Sequence, residues 1–250
     1  AEDLFGTHEN IPMRDRVCRA VEKVHTQIKG SSLPQLPLFW TEWNVPSYGD
    51  LDARDNWYVG PALAHDISQC DGSVDLMSWW TFDDVFEEGG PKREPFDGGF
   101  GLIAPGMIKK PGFYDFSLLH ELGDQRLANS ANNVLVTRRE NGTLVVAAWN
   151  LVDMDKLAEG KPIAMRFTFK GVASRAHVSI QRVDKAHGNP LTAYHAMGSP
   201  RYPTQAQIAE LNRASALPPP EKVSLKSGVL TLLVPVNGLA IIEIPAGKGK

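Results

Sequence analysis

Two short strand-like runs constrain this chain more than anything else in it. Pro37-Leu38-Phe39-Trp40-Thr41-Glu42 has nothing charged before its last residue, and Val74 to Phe82 is largely apolar and ends in Trp79-Trp80-Thr81-Phe82. A continuous apolar run marks a strand covered on both faces, which is the usual state of parallel strands. Helical periodicity surrounds both runs. Val17, Ala20, Val21, Val24 and Ile28 keep one face of a helix that starts at Pro12 and stops at Gly30. Val59, Leu63, Ile67 and Cys70 line a helix over about 56–70, and a third begins at Pro111 with Phe113, Phe116, Leu119 and Leu122 inward. Helix, strand, helix, strand, helix is βα-barrel grammar. Such a barrel closes with eight parallel strands, and only two are present. Residues 1–124 therefore read as the C-terminal part of a (β/α)8 barrel, from its sixth helix to its eighth.

From about Asn132 the pattern changes to short alternating strands: Val134 to Arg138, Thr143 to Leu151, Ile163 to Lys170, His177 to Val183, Val229 to Val236 and Leu239 to Ile244. Asn141-Gly142 is a hairpin signal between the first two, and Asn237-Gly238 joins the last two. The reading for 125–250 is an antiparallel β-sandwich, so the fold class is α/β plus all-β. The segment Asp83 to Lys110 reads as a long loop. His187 to Pro203 reads as irregular, with a short helix near 204–214 after it. Asn141-Gly142-Thr143 also fits a glycosylation sequon and is read as a turn.

Charge and composition exclude several partners. A net charge of -3 and a scattered set of 26 Lys and Arg leave no basic stripe for a nucleic acid. No run approaches the roughly 18 apolar residues of a membrane span. The seven histidines form no HxxxH pair or His/Cys cluster, so no metal site is expected. Cys18 and Cys70 fall at apolar helix positions and are expected as buried free thiols. The N-terminus has neither the basic start nor the apolar core of a signal peptide, and its opening at Ala1 suggests a piece of something longer.

The strand ends carry the chemistry. Glu42 ends the first run, at the rim where α/β proteins place their active groups. It stands between Trp40 and Trp43 and is followed by Asn44 and Tyr48, while Trp79, Trp80, Glu87 and Glu88 follow the second run. Carboxylates beside indoles suit a sugar, whose hydroxyls need charged or amide partners and whose C–H faces need flat aromatic surfaces. Each residue has a plainer reading as well. Glu42 fits a rim glutamate paired with an arginine, Glu87 and Glu88 fit solvated loop residues, and one of Trp79 and Trp80 faces the core because neighbouring strand residues point opposite ways.

Trp40-Thr41-Glu42-Trp43-Asn44 with Tyr48 resembles the nucleophile strand of glycoside hydrolase family 39. Ser78 to Glu88 is similar to that family's eighth strand and the loop after it, and Gly98-Gly99-Phe100-Gly101-Leu102-Ile103, Lys110-Pro111 and Ala193 to Pro203 extend the match. The resemblance implies a retaining enzyme of the bacterial β-xylosidase or α-L-iduronidase kind, a (β/α)8 barrel with an appended β-sandwich. It implies Glu42 as the nucleophile, Tyr48 near that carboxylate or the ring oxygen, Trp80 as a wall of the sugar pocket, and Glu87 or Glu88 on sugar hydroxyls. Trp43 and Asn44 are counted with the substrate-binding residues. No cofactor is implied, because two carboxyls do the work.

A retaining glycosidase needs two carboxyl groups about 5–5.5 Å apart, one attacking while the other protonates the leaving oxygen. The family's acid/base glutamate lies in a Trp-Asn-Glu-Pro-like motif, and none occurs here. The expectation is a β-xylosidase-like exo-glycosidase, acting on xylosides or xylo-oligosaccharides, that is catalytically incomplete until an N-terminal barrel segment joins it. Bacterial cytoplasm or periplasm is the expected setting. Two other readings stay open: an iduronidase-like hydrolase using Lys92 or Arg93 for a substrate carboxylate, and a non-catalytic carbohydrate-binding or scaffold fragment.

Overall fold

The computed structural model describes residues 11–45, 51–85, 90, 92 and 94–246, with 51 and 52 described by their backbone only. A 3-10 turn, Met13–Asp15, leads into α1 (Arg16–Lys29). Strand β1 (Phe39–Trp43), the 3-10 turn Leu51–Arg54, α2 (Val59–Cys70) and β2 (Leu76–Trp79) follow. The expected long loop contains a small antiparallel hairpin, β3 (Ile103–Ala104) with β4 (Ile108–Lys109), turned at Gly106 and Met107 with φ of 89° and 59°. Two-residue strands are too short to show a period, so the sequence does not announce them. Pro111 then opens α3 (Pro111–Leu119) at its first position.

The remaining strands are β5 (Gln125–Leu127), β6 (Val134–Arg138), β7 (Leu144–Trp149), β8 (Ile163–Thr168), β9 (His177–Val183), β10 (Glu221–Ser224), β11 (Val229–Val234) and β12 (Leu239–Ile244). Within the stretch read as irregular lies α4 (Leu191–Ala196), and α5 (Gln205–Ser215) follows it, started by a capping box between Thr204 and Gln207.

One sheet has six strands in the order β10-β9-β12-β7-β6-β5, all antiparallel, and β8 with β11 forms a separate antiparallel ribbon. Asn237-Gly238 therefore does not close a hairpin. It carries the chain from the ribbon into the large sheet, with Asn237 at φ 54° and its side-chain oxygen accepting the Val152 N–H at 2.8 Å.

Strand alternation assigns the large sheet two covered faces. Val146, Ala148, Ala240, Ile242 and Ile244 point to the ribbon residues Met165, Leu230, Leu232 and Val234. Their neighbours Val145, Ala147, Trp149, Leu239 and Ile241 point to Leu63 and Ala64 of α2 and Leu118 and Leu119 of α3. This explains why β7 and β12 read as nearly unbroken apolar runs: both faces are dry. It also makes one continuous core of the helical and β segments. Arg14 donating to the Asp153 carboxylate at 2.6 Å and Trp57 donating to the Val236 carbonyl at 3.3 Å tie the same two parts at the edge.

Cys18 and Cys70 correct the sequence reading. They form a disulfide between α1 and the last residue of α2, with Cα atoms 5.1 Å apart across 52 positions. Each was legible as an apolar helix position, and both are buried. Their pairing follows from two helices lying side by side behind β1 and β2, which no local spacing encodes.

Candidate active site

Strands β1 and β2 pair in parallel, Phe39 beside Leu76, Trp40 beside Met77 and Trp43 beside Trp79, with the register broken between Trp40 and Trp43. One face of this pair is packed. Leu38, Trp40 and Met77 meet Cys18, Val21 and Cys70, while Trp79 makes edge-on contacts with Trp43 and Phe116 at 5.2 and 5.3 Å. The other face is bare: Phe39 is 58% exposed and Leu76 49%, and Ser78 is exposed between them and the strand end.

Glu42 falls inside the register break, and both it and Thr41 are exposed. A bulge re-aims side chains, which is why such irregularities gather at functional rims. Of the two indoles on β2 and after it, Trp79 belongs to the core and Trp80 is half-buried. The Trp80 N–H donates to the Trp43 carbonyl at 2.8 Å, so Glu42 and Trp80 sit on adjoining strand ends. The Trp80–Thr81 peptide is cis.

Trp43 and Asn44, both expected among the substrate-binding residues, are engaged within the fold. Trp43 is buried in the shared core. The Asn44 amide donates to the carbonyls of Trp80 and Phe100, and its oxygen accepts the Val45 N–H at 2.8 Å. Asn44 thus laces the end of β1 to the end of β2 and to the glycine-rich loop. Tyr48, Glu87, Glu88 and Arg93 lie outside the described residues. Lys92 donates to the Asp97 carbonyl at 3.1 Å.

Sequence reasoning passed over the cluster behind this rim. Lys110 is fully buried, with its ammonium 2.7 Å from Asp55 and 2.7 Å from Asp84, both also buried, and it donates to the Gly99 carbonyl at 3.0 Å. Asp55 accepts the Gly98 N–H and Asp84 the Gly101 N–H, each at 2.7 Å. Burial raises the Asp84 pKa to about 6 against the pull of Lys110, and burial likewise raises that of Asp55. The only sequence cue was a pair of loop aspartates and a lysine ahead of a helix-starting proline. Among the described residues no group of His, Cys, Asp and Glu could hold a metal ion, and no helix is long and apolar enough to cross a membrane.

Comparison with known proteins bears on this geometry. The model of "Glycosyl hydrolases family 39" matches residues 6–227. The chain is 34% identical over 224 residues to a β-xylosidase of Geobacillus stearothermophilus, covering 88% of this chain and 44% of that protein. It is 29% identical over 234 residues to a β-xylosidase of Caldicellulosiruptor saccharolyticus, covering 89% and 44%. Among solved structures, a monomeric β-xylosidase from Caulobacter crescentus CB15 superposes with a TM-score of 0.80 at 27% identity, over 94% of this chain and 50% of that one. The chain thus spans half or less of the length of these relatives.

Proposed function

The chain belongs to the glycosyl hydrolases of family 39, and from that membership we propose that it is the nucleophile-bearing part of a retaining exo-β-xylosidase. In this reading residues 1–124 are the end of a (β/α)8 barrel and 125–250 an appended β-sandwich. Glu42 attacks the anomeric carbon, a carboxylic acid supplied from outside these 250 residues protonates the leaving oxygen, and water then releases the sugar with that acid acting as base. Trp80 forms a wall of the pocket, while Tyr48 and one or both of Glu87 and Glu88 hold the substrate. We assign Trp43 and Asn44 to supporting the rim rather than touching the sugar.

One observation carries the proposal: an exposed carboxylate sits in the irregular end of a parallel strand whose opposite face packs on the helices and whose own face carries exposed apolar residues. A parallel pair left open on one side lacks the cover such sheets require, and the relatives are about twice as long. The preceding barrel strands are the natural cover. The nucleophile must stay ionised for attack while its partner stays protonated.

The test is to assay aryl β-xyloside cleavage by the chain alone and by the chain joined to a family 39 N-terminal barrel segment. Activity is expected only from the joined form, and Glu42→Ala should lower it by roughly a thousandfold or more, as loss of a covalent nucleophile does. Turnover by the 250-residue chain alone would refute the division of the site.

A further inference from the structure

We propose that Lys110, clamped between Asp55 and Asp84, is the positioning residue that seats the Gly98–Gly101 loop and, through it, the strand ends bearing Glu42 and Trp80. The three charged groups come from three separate places along the chain: the turn after β1, the segment after β2 and the residue ahead of α3. The Gly98–Gly101 loop closes on all three.

The connections can be followed bond by bond. Lys110 fixes Asp55, Asp84 and the Gly99 carbonyl. The two carboxylates then fix the N–H groups of Gly98 and Gly101. Arg54 adds a bond to the Gly98 carbonyl at 3.2 Å and lies over the Phe100 ring at 4.1 Å. The loop so held presents its Phe100 carbonyl to the Thr81 N–H and to the Asn44 amide. Leu102 N–H to the Phe82 carbonyl and Asp84 N–H to the Ile103 carbonyl zip the two segments together beyond that point. The clamp reaches β1 through Asn44 and β2 through Thr81, within two residues of Glu42 and one of Trp80.

The loop's composition fits the same account. A Cβ on Gly99 would lie 2.3 Å from an Asp84 carboxylate oxygen, and one on Gly101 would lie 2.3 to 2.6 Å from the backbone of Asp83 and Asp84. The glycines are there so that the backbone can close on the charges. A buried ammonium without partners is costly, and removing it strands two buried carboxylates. Lys110 therefore cannot be replaced by an apolar residue without the loop letting go.

Hydrogen exchange, read by mass spectrometry on the chain in dilute solution, tests this without any sugar. In Lys110→Met and Asp84→Ala, peptides covering 80–84 and 98–102 should exchange about tenfold faster or more, while β7 and β12 keep their protection. Asp84→Asn, which preserves an acceptor for the Gly101 N–H, should stay close to the parent. Unchanged loop exchange in both disruptive variants would overturn the proposal. So would equal acceleration in β7 and β12, which would make the cluster a prop for the whole fold.

The consequence for catalysis rests on the glycosidase reading. In the joined enzyme Asp84→Ala should raise KM for the aryl xyloside about tenfold with a smaller change in kcat. A joined parent protein with no activity would end that reading and leave the exchange result standing.

Discussion

At the residue scale, Asp115 is the side chain least suited to its surroundings. It is fully buried on α3, neither carboxyl oxygen has a hydrogen-bond partner among the described residues, and burial pushes its pKa well above the ordinary value. Gly60 of α2 faces it so closely that a Cβ there would lie 2.3 Å from the carboxyl. A folded state that keeps a proton the unfolded chain has lost becomes less stable as pH rises. For Asp115 this loss begins above about pH 4, where the unfolded carboxyl ionises, and amounts to about 1.4 kcal/mol per pH unit. Asp84, with its pKa at about 6, adds a loss of the same sign confined to the interval from the ordinary aspartate value of 3.8 up to about 6. Asp115→Asn should therefore flatten the fall in unfolding free energy above about pH 5 by one proton's worth, measured by denaturant titration at several pH values. An unchanged slope would mean that Asp115 ionises in the fold. Gly99→Ala tests steric closeness instead, and should cost about 2–4 kcal/mol because the displaced atom belongs to a buried charge pair.

At the scale of elements, the disulfide joins α1 to α2 around β1. Closing a loop of 52 positions constrains the unfolded chain, and the chain-entropy argument puts the stabilisation at about 4 kcal/mol at most. Cys18→Ala with Cys70→Ala should lower stability by about 2–4 kcal/mol, and thiol titration of the unreduced, unfolded protein should find no free cysteine. A full thiol count, or identical denaturation with and without reductant, would contradict the pairing. Much of the element order was legible because burial leaves a pattern: β9 begins and ends where its alternation does, β12 where its apolar run does, and α2 follows Val59, Leu63, Ile67 and Cys70. What escaped were features with no period to read. These are the hairpin β3–β4, the short α4, the passage from ribbon to sheet at Asn237-Gly238, and the meeting of Asp55, Asp84 and Lys110. The same holds at the rim. Residue type singled out Glu42, Trp43, Asn44 and Trp80 alike, and only the tertiary fold decides that Glu42 is exposed while Trp43 goes to packing and Asn44 to backbone bonds.

At the scale of the whole molecule, the two halves of the chain differ in how completely their surfaces are satisfied. The six-stranded sheet is covered by a ribbon on one face and helices on the other. The two-stranded parallel sheet is covered on one face only, with Phe39 and Leu76 side by side on the open one and Phe82 62% exposed beyond them. Contiguous apolar exposure of this kind drives association. Sedimentation of the 250-residue chain should show concentration-dependent self-association that disappears when a barrel segment covers that face, whereas a scaffold module would sediment as a monomer throughout. The central claim is that Glu42 bonds to the sugar, and covalent trapping reads it directly. The joined enzyme is treated with an activated fluorinated xyloside and its peptides are analysed by mass spectrometry. The account predicts one sugar adduct, on the peptide containing Glu42 and abolished by Glu42→Gln; an adduct on any other residue would contradict it.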